Sequence, residues 1–95
     1  MTGEHGIVAE HDLVAHLFAT TLQLMRELGQ VFLPLEVVRE RLHWSPELLG
    51  QVVDHCLAHD PVAGGTWRAD WMDDGDRPAF GAQGRRMIGI RPVTA

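Results

Sequence analysis

His55 and His59 are the residues of this 95-residue chain whose type and spacing first suggest chemistry. Four residues apart on a helix, two imidazoles share one face and can chelate zinc or nickel. A stable site needs more ligands than two. Asp54 points about a quarter-turn away, so His11, His16 or a second chain would have to complete the set, and two histidines at this spacing are common by chance. We expect no metal and no other cofactor. The single thiol, Cys56, excludes an internal disulfide and shares an apolar stripe with Leu49, Val52 and Val53, where a cysteine behaves as a small buried hydrophobe. Asp73, Asp74 and Asp76 around Gly75 lack the ligand alternation and closing glutamate of a calcium loop and read as the tip of a turn. No nucleophile elbow, phosphate loop, HExxH or paired catalytic carboxylate occurs, so no catalytic residue is assigned and an enzyme is not expected.

The charge pattern narrows the partners. The net charge is −5, which gives no overall attraction to nucleic acid or anionic lipid. Every one of the eight cations is arginine, and five of them, Arg68, Arg77, Arg85, Arg86 and Arg91, lie in the last third of the chain. An apolar fraction of 45% with 22% charged residues is that of a folded globule, and the length suffices for one core only. Polar residues interrupt every apolar stretch well short of the roughly 18 residues that cross a bilayer. The acidic start MTGEHGIVAEHD lacks the basic and apolar regions of a secretory signal, so the expected setting is cytoplasmic and away from membranes.

The elements that must position these residues follow from periodicity. Residues 1–11 carry two glycines and no clear period, and read as a frayed lead-in. Val14, Leu17, Phe18, Thr21, Leu24, Met25 and Leu28 then recur with helical spacing, and Gly29 suits a helix end, which predicts helix one over residues 12–28. Leu13 and Leu22 widen its apolar surface, and Ala15 and Ala19 are small enough for another helix to approach, so a homodimer through helix one is an expectation. A short apolar segment, Gln30 to Leu33, precedes Pro34, which fits a first helical position; Leu35, Val38 and Leu42 predict helix two over residues 34–42. Ser45 is a helix N-cap, and the apolar spacing from Leu49 to Cys56 predicts helix three over residues 46–59. After a loop the period changes to two, placing Trp67, Ala69 and Trp71 on one strand face packed on helix three. A polar loop from Asp73 to Gly84 and a second strand from Arg86 to Arg91 complete a hairpin over residues 66–91.

The order helix, short apolar segment, helix, tight turn, helix, hairpin resembles the winged helix-turn-helix superfamily. The stretch VFLPLEVVRERLHWSPELLGQVVDHCLAHD stands in the place of its short strand, second helix, turn and recognition helix. The resemblance covers residues 12–91 and implies a single α+β domain of three helices and a two-stranded β-wing, with a possible short strand between helices one and two. It also implies double-stranded DNA as the partner and transcriptional regulation as the role, with helix three in the major groove and the wing against the backbone. The outward positions of helix three would then be Pro46, Glu47, Gly50, Gln51, Asp54 and His55, of which Gln51 is the one natural base reader. Arg68, Arg77, Arg85 and Arg86 of the wing would contact the backbone. The carboxylates and the absence of arginine on that helix face favour the alternative, a winged helix that docks a protein partner through Trp44, Glu47 and Asp54.

Overall fold

The computed structural model describes the backbone of residues 2–63, 65–73 and 75–93, and side chains from residue 12 onward within those ranges, Ala63 excepted. Three α-helices and an antiparallel sheet make an α+β fold. Helix α1 spans Thr2–Leu28, α2 Leu35–Leu42 and α3 Pro46–His59; the strands are β1 (Leu33–Pro34), β2 (Val62–Ala63), β3 (Trp67–Met72) and β4 (Met87–Pro92). No helix is long and apolar enough to cross a membrane among the described residues.

The helix boundaries follow from local chemistry. Gly29 takes the left-handed conformation (φ 66°) after α1, and the amides of Gly29 and Gln30 both return to the Met25 carbonyl, at 2.8 and 3.2 Å. His43 (φ 61°) ends α2 in the same way, and the Ser45 hydroxyl accepts from the Leu48 amide at 3.1 Å to start α3. Two expectations need correction. The backbone of residues 2–11 is helical and not an irregular lead-in: Glu4, Ala9 and Glu10 favour helix, and extending a nucleated helix adds one hydrogen bond per residue fixed. Pro34 is extended (φ −61°, ψ 134°) and lies in β1 ahead of α2, where its missing N–H costs the short strand nothing on its open side.

Strand order is β1-β4-β3-β2. Strands β3 and β4 form the expected hairpin, with Ala69 opposite Ile90 and Trp71 opposite Ile88, so Trp67, Ala69 and Trp71 share the core face with those isoleucines. Both tryptophans are half-buried against the core, and the helix running closest to the sheet is α1, not helix three as expected. The sheet gains β2 from the stretch read as loop, because Val62 pairs with Arg68 and Ala63 with Trp67 across a short turn. Two residues are too few for a period-two signal. The chain reaches β1 by crossing over β4 at Gly89, where any side chain would collide: a Cβ there would sit 2.7 Å from the Val31 carbonyl oxygen.

Every large element contributes to one interior. Leu17 of α1, Leu33 of β1, Leu35 and Val38 of α2, Leu49 and Val53 of α3 and Ile88 of β4 are fully buried. Thr21 is buried with them, and its hydroxyl donates to the Leu17 carbonyl at 2.7 Å, which removes the cost of an unpaired polar group.

Candidate interaction surface

Helix α3 presents the residues from which either expected function would be built. Of its expected outward positions, Pro46, Glu47 and Gln51 are exposed, His55 and Asp54 are half-buried, and Gly50 is buried. The cover over Gly50 and Asp54 comes from the chain itself. Phe80 and Arg85 exchange backbone hydrogen bonds of 2.8 and 2.9 Å and close a four-residue turn, and the buried Phe80 ring anchors that turn to the core. The Asp54 carboxylate accepts the Ala82 amide at 2.8 Å. Glycines allow the approach: a Cβ on Gly50 would lie 3.1 Å from the Gly81 nitrogen, and one on Gly81 (φ 83°) would lie 2.6 Å from the Asp54 carboxylate. Asp54, expected to contact a partner, is thus a clasp that holds the long loop against α3.

The arginines expected on the wing are directed inward upon the chain. Arg85 pairs with Asp73 at 2.8 Å and donates to the Gln83 side-chain oxygen at 2.9 Å. Arg86 donates to the Arg77 carbonyl, Arg91 pairs with Asp70 at 2.8 Å, and Arg68 lies 3.6 Å from Asp60. The Nε atoms of Arg68 and Arg85 are buried, so both guanidinium groups lie against the fold. Arg77 is exposed and has no carboxylate partner among the described residues.

Trp44 is half-buried against the core and forms part of the α2–α3 turn. Arg39 clamps this turn, donating to the Trp44 carbonyl at 2.9 Å and to both Glu36 oxygens at 3.0 and 2.8 Å. The hydrogen bond from Arg39 holds the Glu36 carboxyl below the usual carboxylate range, against the opposing effect of burial. Arg41 does the same for Glu27 across the α1–α2 contact, at 3.0 Å.

What remains open on α3 is its side toward α1. There Leu13 and Val14 of α1 and Leu48, Gln51, Val52 and His55 of α3 line a cleft of about 70 Å³. That is room for a few waters, at roughly 10–15 Å³ each, or for one aliphatic side chain. Gln51 and His55 supply the polar part of the lining, and exposed Glu47 stands one turn before Gln51 on the same helix. Sequence reasoning missed this cleft; the signal was Leu13 and Leu48, two apolar residues off the main stripes of their helices. The His55 and His59 rings lie 4.5 Å apart, and no third His, Cys, Asp or Glu joins them among the described residues; the His11 side chain and Asp74 lie outside that set. Burial pushes the Cys56 thiol up to about 12, so it is held neutral in the core.

No family model, curated protein or solved structure matches the chain.

Proposed function

We propose that this chain is a winged-helix-type module that acts by docking a protein partner at the α1–α3 cleft, with Gln51, His55 and Glu47 on the rim and Leu13, Leu48 and Val52 at the floor. The observation that carries this reading is the cover that the 81–84 turn lays over Gly50 and Asp54: of the expected outward positions of α3 it leaves Pro46, Glu47 and Gln51 exposed, a narrowed face with no cation to meet phosphates. Self-pairing of Arg68, Arg85, Arg86 and Arg91 and a net charge of −5 support it further. The charges of Arg68, Arg85 and Arg91 are already matched by carboxylates, which weakens their pull on a phosphate.

A second reading, the DNA-binding regulator, keeps one specific support. Arg77 is exposed between β3 and β4 with no carboxylate partner among the described residues, and the sequence order of helix, short apolar segment, helix, turn, helix and hairpin resembles that of such regulators. The two readings separate on two measurements. Anisotropy with random-sequence duplex at low salt gives no complex up to roughly tens of micromolar protein under the docking reading. Protein captured by the wild-type chain is lost with Gln51→Arg, which fills the rim of the cleft with a long cation. A salt-dependent duplex complex, with a slope near −0.9 per phosphate contact and lost on Arg77→Ala, establishes the regulator instead.

A further inference from the structure

Helix α1 carries a face that stands exposed among the described residues. Asp12, Ala15, His16, Ala19, Gln23 and Arg26 are exposed, and Leu22 is half-buried beside them. Their spacings of three and four residues place them on one stripe about 21 Å long. The chemistry of the stripe is balanced about Ala19. Seven residues before it stands an acid, Asp12, and seven residues after it stands a base, Arg26. Neither has an ion-pair partner among the described residues. Most other arginines are matched to a carboxylate: Arg39 to Glu36, Arg41 to Glu27, Arg68 to Asp60, Arg85 to Asp73 and Arg91 to Asp70.

We propose that this face is the contact between two copies of the chain, packed as an antiparallel α1 pair on a two-fold axis passing by Ala19. In such a pair, residues equally far from Ala19 on opposite sides come level with each other. Asp12 of each copy then meets Arg26 of the other, twice by symmetry; Ala15 meets Gln23, and His16 meets Leu22. Alanine at the crossing point lets the helix axes approach to about 8 Å, a gap that aspartate and arginine side chains span at a shallow crossing angle. A parallel pair would set Asp12 against Asp12 and Arg26 against Arg26, so the charges select the antiparallel arrangement. The α1–α3 cleft lies on the other side of α1, at Leu13 and Val14, and stays open in this dimer.

Charge exchange tests the proposal directly. In sedimentation up to about 1 mM protein, the wild-type chain is expected to show a dimer in exchange with monomer. Asp12→Arg and Arg26→Asp each turn two attractions into two repulsions and weaken association by about tenfold or more. The double variant D12R/R26D restores the wild-type constant, and an equimolar mixture of the two single variants associates as well as the wild type; in a parallel pair, where like charge meets like in every variant, the single exchanges would not weaken association in the first place. Helical circular dichroism, unchanged in each variant, separates a broken contact from a broken fold. A wild-type chain that stays monomeric at the highest concentration overturns the proposal, and so does a double variant as weak as the singles.

Discussion

Helices α1 and α3 each turn one side away from the common core, and the two sides meet different fates. On α3 the outward positions Gly50 and Asp54 receive a turn formed by residues 80–85, some thirty positions further along the chain. On α1 the stripe from Asp12 to Arg26 stays exposed among the described residues, Leu22 alone being half-buried. Amphipathic spacing alone does not distinguish these faces, since both are polar and both lie opposite a buried stripe. The distinction comes from glycine. Gly50 and Gly81 let two backbones meet, whereas every position on the open face of α1 carries a side chain that keeps its distance from its own fold.

The strongest way to break this contrast is to push the turn off α3. Gly81→Val places a branched side chain at a left-handed φ and against the Asp54 carboxylate, and is expected to cost about 2–4 kcal/mol in denaturant unfolding. Ala19→Val on the open face should stay within about 0.5 kcal/mol in the monomer. Next in size, Asp54→Ala removes one hydrogen bond from a charged acceptor and should cost about 1–2 kcal/mol, with faster hydrogen exchange at the Ala82 amide while the β3–β4 amides keep their protection. Asp54→Asn retains an acceptor and should fall between the two.

The smallest effect concerns the pairs that join α1 to α2 and brace the α2–α3 turn. Arg41 and Arg39 lower the carboxyl groups of Glu27 and Glu36, and groups with lowered folded values stabilise the fold above the ordinary carboxylate range. That contribution disappears as the pH falls below about 4, through the folded values. The stability difference between the wild type and Glu27→Gln should therefore be small at neutral pH and shrink toward zero in acid. A difference that grows in acid would contradict the pairing.

The helical half was legible in sequence because its instructions are local. Ser45 and Pro46 start α3, and Gly29 and His43 take left-handed conformations where α1 and α2 end, all within a few residues of the helices they bound. The hairpin was legible through the alternation around Trp67 and Trp71, while β2 was not, having only two residues. The candidate surface was the least legible part. Its expected members divide: Glu47 and Gln51 remain exposed, Trp44 packs against the core, Asp54 is spent on the loop, and four of the five arginines of the hairpin region are paired within the chain.

What the sequence determined by itself was the three helices, the hairpin and their order, since helix caps, apolar periods and glycine turns act over three or four residues. Only the tertiary structure decided where charge and exposed surface finish. Asp54 and Ala82 are 28 residues apart and Asp70 and Arg91 are 21 apart, so neither contact leaves a periodic trace in the chain. A glycine inside α3 was the single local sign that another backbone comes close there, and its partner, Gly81, became identifiable only once the loop was folded back.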